Sequence, residues 1–435
     1  MAKTSSLPTR HPPEMILLAF VEMCQRFAFW GIGNLLVLYL VQNHGMADAK
    51  ADNIFGIFTG VAFVLPIFGG YLADRWNYRQ PVIIGCLFTA IGCFLIASNI
   101  LSLVYCALVL VAIGGCIFTP SIYSLLGSVY QDRHNLREAG FSIYYASVNI
   151  GTFAAMVILG AFGNAEHWSI AFTIAGVVQI FGLWPLYKAF KMPNLKKVPN
   201  THKFTLSFNV NNQALTKREK NRITVICVLS LISILFWLSY NQGGSSMTLY
   251  ALKYTDRHIG SFEIPPSWLL SFESLYLVIL AAPLASLYIF LSRRKLDPSP
   301  PMKTAFSLIA MGLCFAIMMF ASRLIPDGAK TAATSPFYLI SAYFLMAVAE
   351  MLLAPIGLAL VTHLSPPKFT ACLVGLWYVC IGIAFYSGGV VAGLMSSIKN
   401  LDLFFLIFVV LTIVPGIVLM FFNKKLNQLR HLESL

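Results

Sequence analysis

Charged residues are scarce in this sequence: only 11% of its 435 residues are Asp, Glu, Lys or Arg, whereas a soluble globular domain carries about 25%. So few charges cannot cover the surface of a water-soluble protein of this size. Hydrophobic residues make up 58% of the chain, and its mean hydropathy is +0.76. We therefore expect lipid to replace water around much of the molecule.

The usual signatures of catalysis and of metal binding are also missing from the sequence. None of its nine cysteines forms a CxxC pair, which argues against a disulfide framework or a zinc site. There is no nucleophile–base constellation, metal-ligand spacing or phosphate-binding loop, so we expect no enzyme activity, no metal and no cofactor. Residues 1–13 are polar and the apolar run after them is too long for a signal peptide, so we expect no cleaved leader.

Basic residues outnumber acidic ones, 30 to 17, but they stand between apolar segments. That distribution fits the positive-inside rule better than nucleic-acid binding, and it predicts that both termini are cytoplasmic. We expect the chain to lie in a bacterial inner (plasma) membrane. In this orientation the outer loops hold few basic residues, namely Lys50, Lys253, Arg257, Arg323, Lys330 and Lys399.

Apolar segments of about 20 residues, the length that a spanning helix needs, recur along the chain. We expect an all-α polytopic membrane protein. One long polar stretch, 191–221, follows the sixth span and predicts a cytoplasmic basic linker between an N-terminal bundle, 1–190, and a C-terminal bundle, 222–435. The twelve predicted spans are 14–42, 51–75, 80–99, 102–130, 141–163, 168–190, 222–252, 264–292, 302–323, 336–364, 370–397 and 401–423.

Two six-helix halves are the plan of major facilitator superfamily carriers. The segment Gly70–Arg79, GYLADRWNYR, resembles the GxxxDRxxxR loop of that superfamily and lies between the second and third predicted spans. The resemblance implies a cytoplasmic gating latch in which Asp74, Arg75 and Arg79 bridge helix ends. The alternative is that these charges only set the topology.

Further stretches resemble motifs of the proton-dependent oligopeptide transporter (POT/PTR) family, in the family's order. Residues 22–31, EMCQRFAFWG, resemble ExxERFxYYG, and residues 141–151, FSIYYASVNIG, resemble FxxFYxxINxG. Residues 236–246, FWLSYNQGGSS, resemble FWxxxEQxxSS, while residues 349–358 and 375–377 resemble GE(x)4PxG and GxW. The chain is identified as an atypical member of this family, with the twelve-helix fold of the major facilitator superfamily.

Glu22, Arg26 and Phe29 follow i, i+4, i+7 spacing, so they share one helix face. A carboxylate one turn from a guanidinium forms an ion pair that protonation breaks, which predicts a proton-coupling role for Glu22 and Arg26. Arginine also suits bidentate capture of a carboxylate, and the resemblance implies that Arg26 binds the C-terminal carboxylate of a peptide. The alternative is a purely structural ion pair.

Glu350 and Glu273 are the other ionisable residues that fall clearly within the predicted spans. Charged groups at that depth face the bundle interior or a wet cavity. The resemblance implies that Glu350 binds the amino terminus of the substrate, so that Arg26 and Glu350 clamp a zwitterion; the alternative is a packing partner or a proton site. Glu273 has no counterpart in the family pattern, and our hypothesis is that it supplies proton-coupling chemistry.

Aromatic and amide residues of the family motifs are candidates for side-chain pockets, although most aromatic residues in such a chain face lipid or fill the core. We expect substrate binding by these residues: Phe29, Trp30, Phe63, Tyr144, Tyr145, Asn149 and Trp377. Gly56 and Gly60 form a GxxxG pair that permits close helix contact.

The sequence departs from the family pattern mainly at positions where the family has charged residues. Gln25 replaces the second glutamate of the first motif, and Thr119 stands where the family has a lysine before a proline. Gly33 and Asn241 replace both members of an outer ion pair. These losses bring peptide specificity and strict proton coupling into question, but not the fold.

Three functions follow from these observations. The first is proton-coupled symport of di- and tripeptides or peptide-like zwitterions, and Arg26 with Glu350 favours it. The second is carriage of another solute on the same scaffold, such as a modified amino acid, a metallophore or a drug, with export as one direction; Gln25 and Thr119 favour it. The third is a transport-dead receptor or scaffold. The expected partners are a small-molecule substrate, protons and the lipid bilayer, with no nucleic acid and a monomeric state.

Overall fold

A computed structural model describes residues 11–70, 78–131, 134–196, 215–325, 334–366, 369–398 and 400–430. Nearly all regular structure in these ranges is helical. The helices are α1 Pro13–Gln42, α2 Asp48–Val64, α3 Arg79–Ala97, α4 Leu101–Val129, α5 His134–Asn164, α6 Trp168–Lys191, α7 Pro193–Lys196, α8 Lys217–Tyr240, α9 Ser246–Tyr254, α10 Pro266–Arg293, α11 Pro300–Arg323, α12 Pro336–Leu364, α13 Thr370–Gly393 and α14 Leu401–Arg430.

Short elements join some of these helices. Asn241–Gly244 and Leu394–Ser396 form 3-10 turns. An antiparallel hairpin of β1, His258–Ile259, and β2, Phe262–Glu263, connects α9 to α10, with His258 opposite Glu263.

Within the described ranges, twelve helical segments are long and apolar enough to cross a membrane, which confirms the predicted spans. The largest difference is at the last span, which ends at Arg430 and not at residue 423. The residues after Phe422 are polar, but Lys, Leu, Gln and Arg are good helix formers. The helix therefore continues beyond the apolar segment that defined the predicted span.

The first compact unit comprises Met1–Leu35 and Leu65–Thr205. In its described part, α3 packs against α4 and α6. Its core is apolar, and buried members include Leu18, Phe118 and Leu186. Sequence boundaries at 190 and 222 for two six-helix bundles stay a prediction.

The second compact unit comprises Leu36–Val64 and Leu206–Leu435. Here α2 packs against α13, and α11 packs against both α12 and α14. Aromatic rings fill the contact between α11 and α14, where the rings of Phe315 and Phe408 stack 4.8 Å apart.

Glycines permit the close crossing of α2 and α13. A Cβ atom added to Gly56 would lie 2.8 Å from the Cα of Gly389, and one added to Gly60 would lie 2.9 Å from the carbonyl oxygen of Gly382. Backbone atoms cannot move aside as a flexible side chain does, so these positions admit no side chain. The structure confirms that the GxxxG pair of α2 is a contact surface.

Replacing Gly389 with alanine is expected to destabilise the protein. The new Cβ would lie 2.5 Å from the backbone carbonyl oxygen of Asp52, and overpacking of this kind costs about 1–3 kcal/mol. The apparent Tm of the purified protein, measured at one heating rate, should fall. Gly375→Ala is the matched control, because nothing lies within 4 Å of its added Cβ. Equal Tm values for the two variants would contradict the close crossing.

Candidate functional site

An ion pair in α1 forms the centre of the first unit's charged site. The Nε atom of Arg26 donates to Oε1 of Glu22 at 2.6 Å. The two residues are one helical turn apart, and the structure confirms that they share a face. Glu22 is fully buried, whereas the side chain of Arg26 keeps 15% of its surface exposed.

Two hydroxyl groups complete this site, which we call the α1 charge cluster (Glu22, Arg26, Thr119 and Tyr144). The Oη atom of Tyr144 on α5 donates to Oε2 of Glu22 at 2.6 Å. The Nη2 atom of Arg26 donates to Oγ1 of Thr119 on α4 at 3.5 Å, a long hydrogen bond. Both oxygens of Glu22 are therefore occupied, and the accessible charged group of the cluster is the guanidinium.

Gln25 belongs to a separate buried amide network. Its Nε2 atom donates to Oγ1 of Thr89 on α3 at 3.1 Å, and its Oε1 atom accepts from Nε2 of Gln179 on α6 at 2.6 Å. A glutamate at position 25 could accept but not donate, so Thr89 and Gln179 match the amide. Gln25 thus joins three helices without a titrating group. Gln179 was missed from the sequence, although a single amide in an apolar helix is a signal for it.

The aromatic and amide candidates of the first unit differ in burial and in their contacts. The ring of Phe29 meets the edge of Trp30 at 5.4 Å and lies beside Gly115 of α4. Asn149 is buried, and its Nδ2 atom donates to the carbonyl oxygen of Tyr145 at 3.3 Å. Tyr145 is exposed. Their predicted roles in substrate binding stay predictions.

The second unit contains a pair of hydrogen-bonded carboxyl groups, which we call the carboxyl pair: Glu273 of α10 and Glu350 of α12. Oε1 of Glu273 accepts from the Oη of Tyr240 at 3.0 Å, and its Oε2 accepts from the Oγ of Ser274 at 3.3 Å. Tyr240 also contacts the carboxyl group of Glu350. The two glutamates that the sequence flagged singly thus form one site.

A hydrogen bond between two carboxyl groups forms only when one of them carries a proton, because an ionised carboxylate can only accept. Oε2 of Glu350 is buried and has no hydrogen-bond partner among the described residues. Glu350 thus offers the free acceptor, whereas both oxygens of Glu273 are occupied.

Several aromatic candidates of the second unit are packed against other residues of that unit. The ring of Phe63 lies 4.4 Å from that of Phe385 on α13, which in turn lies 6.4 Å from Tyr240. Trp377 is buried and packs on Gly357, where an added Cβ would lie 2.2 Å from the indole. These contacts explain why the motif has glycine at position 357; substrate binding by Phe63 and Trp377 stays a prediction.

Of the predicted gating residues, Asp74 and Arg75 lie outside the described residues. Arg79 begins α3, and its Nη2 atom donates to the carbonyl oxygen of Leu195 in α7. Its guanidinium also lies over the ring of Phe190, 5.4 Å from the centroid. Arg79 thus joins the start of α3 to the segment after α6 within the first unit.

Sequence analysis missed several polar residues of these sites. Tyr240 and Ser274 stand next to motif or flagged residues, and they become visible only through their bonds to Glu273. Asp52 is fully buried in α2, so the four ionisable residues counted within the spans were too few. Among the described residues, no group of three or more His, Cys, Asp or Glu is placed to hold a metal ion.

Comparisons with known proteins agree with this architecture. A family model described as "PTR2: POT family" matches residues 79–192 and 187–407. Peptide transporter YePEPT of Yersinia enterocolitica subsp. palearctica serotype O:3 (strain YE-P4) is 25% identical over 450 residues, covering 88% of each chain. Dipeptide and tripeptide permease B of Salmonella typhimurium (strain LT2) is 26% identical over 443 residues, covering 90% of this chain and 88% of the permease. A crystal structure of peptide transporter POT in complex with sulfate shares the fold, with a TM-score of 0.87 at 24% identity over 98% of each chain.

Proposed function

The chain belongs to the POT family of transporters, and we propose that it is a secondary active transporter that carries di- and tripeptides or peptide-like zwitterions together with protons, by alternating access. Relatives along most of its length are named peptide transporter and dipeptide and tripeptide permease. Proton-coupled symport is the general mechanism of the family.

The observation that carries the proposal is the pair of complementary groups in the two units. The guanidinium of Arg26 is the accessible cation of the α1 charge cluster. Oε2 of Glu350 is a buried acceptor that has no hydrogen-bond partner among the described residues. A zwitterionic peptide presents a carboxylate, which a guanidinium binds in bidentate fashion, and an ammonium group, which donates to a carboxylate oxygen. Arg26 therefore suits a carboxylate, and Glu350 suits an ammonium group.

Protons act on the same groups. Protonation of Glu22 weakens its attraction for Arg26 and frees the guanidinium for the substrate carboxylate, while Tyr144 retains a partner in the neutral acid. In the second unit, the proton shared by Glu273 and Glu350 is the one exchanged during transport. Both mechanisms use carboxyl groups held away from water, where protonation and substrate charge are strongly coupled.

We further propose that the protein is a monomer of a bacterial inner membrane with both termini cytoplasmic. The distribution of lysine and arginine between the spans supports this orientation. The same basic residues support a cytoplasmic linker at 191–221 between two six-helix bundles, 1–190 and 222–435.

One observation favours a second candidate, a carrier of another solute on this scaffold. The side chain beside the Arg26 guanidinium is the neutral Thr119, so Arg26 is the only cation of the α1 charge cluster. A site with a single cation discriminates less strongly for a carboxylate, and it suits a modified amino acid or another small zwitterion.

Uptake into proteoliposomes with an imposed pH gradient tests these proposals. Di- and tripeptides should drive proton entry, which a pH-sensitive dye inside the vesicles reports. If only non-peptide solutes accumulate, the second candidate is correct. If no solute in a broad panel moves in either direction, a receptor or scaffold role replaces both.

Replacing Glu273 with glutamine is expected to flatten the pH dependence of uptake. Glutamine keeps acceptor and donor groups for Tyr240 and Glu350, but it cannot lose a proton. Initial uptake rates at several pH values, without a gradient, measure the effect. Ser274→Ala is the matched control, since it removes one hydrogen bond to Glu273 and keeps the carboxyl group. A Glu273→Gln profile that follows the wild-type profile would remove Glu273 from proton coupling.

A further inference from the structure

Asp52 on α2 is a buried carboxyl group that the proposed function does not use. It has no exposed surface, and neither of its carboxyl oxygens has a hydrogen-bond partner among the described residues. Two other buried carboxyl groups contrast with it, because Glu22 and Glu273 accept hydrogen bonds on both oxygens. An ionised carboxylate without any donor is costly to bury, so Asp52 at rest suits a bound proton.

The elements around Asp52 leave it few charged neighbours. α2 packs against α13 and against the turn Leu394–Ser396, and neither segment contains Asp, Glu, Lys, Arg or His. The backbone of Gly389 on α13 lies so close that its added Cβ would be 2.5 Å from the carbonyl oxygen of Asp52. Position 389 therefore admits no side chain that could donate to the carboxyl group.

Two charged residues do act on the Asp52 carboxyl group, Asp48 and Lys253. Asp48 lies one turn earlier on α2 and forms an ion pair with Lys253 in the last turn of α9. Both side chains of this ion pair are partly exposed. The carboxyl groups of Asp48 and Asp52 thus share one nearby ammonium group, that of Lys253. The ammonium group is bound to Asp48, the more exposed of the two.

We propose that Asp52 is a second proton-binding site, distinct from the carboxyl pair. We further propose that its protonation state determines whether Lys253 forms an ion pair with Asp48 or with Asp52. With Asp52 neutral, Lys253 stays with Asp48 and holds α9 to the start of α2. When the proton leaves an oxygen of Asp52, the new carboxylate draws Lys253 away from Asp48. Proton release thereby alters the contact between α2 and α9.

Infrared difference spectra of the purified full-length protein test the site directly. A pH step that deprotonates Asp52 removes the C=O stretch of one protonated carboxyl group. Asp52→Asn should lose this signal, whereas Asp48→Asn should keep it. Spectra of Asp52→Asn that match the wild type would overturn the proposal.

A second variant tests the proposal even if Asp52→Asn does not fold. Lys253→Met retains Asp52 but removes the ammonium group that favours its ionised form. The midpoint of the Asp52 infrared signal should therefore move to higher pH. An unchanged midpoint would show that Lys253 does not serve Asp52 and would contradict the exchange of partners.

The role of this proton in transport rests on the proposed function. Asp52→Asn should reduce accumulation driven by a pH gradient by about tenfold or more, within the range of measured coupling between sites. Exchange of labelled for unlabelled substrate, which needs no net proton movement, should continue. Equal loss of both activities would overturn a coupling role. The infrared measurement uses no substrate, so failure to carry peptides would refute the proposed function and not the proton site.

Discussion

Replacing Arg26 with alanine is expected to reduce peptide uptake by about 30-fold or more, since truncating one partner of a buried charge pair costs about 2–5 kcal/mol. The substitution removes the accessible cation of the α1 charge cluster, which we propose binds the substrate carboxylate. It also leaves Glu22 buried with only Tyr144 as a donor. Concentration-dependent uptake of a dipeptide into proteoliposomes measures the change.

Two further variants separate substrate binding from a structural role of the ion pair. Arg26→Lys keeps the charge but loses the planar fork that matches a carboxylate, so we expect an intermediate loss. Glu22→Gln combined with Arg26→Ala removes both charges and keeps an acceptor for Tyr144, so its Tm should recover relative to Arg26→Ala. Transport should not recover with it. Wild-type uptake by the double variant would show that the ion pair of Glu22 and Arg26 has only a structural role.

Replacing Glu350 with glutamine is expected to remove the preference for substrates with a free amino group. Oε2 of Glu350 is the unpaired acceptor of the carboxyl pair, and a hydrogen bond to a charged group contributes about 1.5–3 kcal/mol. Uptake of a free dipeptide should fall by about 10–100-fold, while uptake of its N-acetylated form should change little. Competition between the two forms in one proteoliposome assay gives the ratio.

The direction of this change distinguishes Glu350 from its neighbour. Glu273→Gln should alter the pH dependence and leave the ratio of free to acetylated peptide close to the wild-type value, because both oxygens of Glu273 are already occupied by Tyr240 and Ser274. If Glu350→Gln lowers uptake of both forms equally, Glu350 is a proton site and another group recognises the amine.

Sequence analysis predicted the parts of the structure that depend on local spacing. The apolar segments predicted the spans because a helix in lipid must bond its own backbone groups and expose apolar side chains. Glu22 and Arg26 were predicted to interact because residues four apart share a helix face. The contact surface on α2 followed from Gly56 and Gly60 for the same reason.

Features that depend on contacts between distant residues were predicted less well. Glu273 and Glu350 were each flagged, but their spacing along the chain gives no sign of the hydrogen bond between them. Gln25 was interpreted as a lost carboxylate, and only Thr89 and Gln179 show why an amide fits. Asp52 lies close to a polar loop in sequence, which gives no sign that the backbone of α13 packs against it at Gly389.

The hydrogen-bonded carboxyl pair also has an electrical consequence. A zwitterionic peptide has no net charge, so each transported proton carries one positive charge across the bilayer. The membrane voltage then contributes about 2.3 kcal/mol per 100 mV, equal to roughly a 50-fold concentration ratio. We therefore expect the proposed transport to draw a current and to continue, powered by the inside-negative voltage, when the two sides have equal pH.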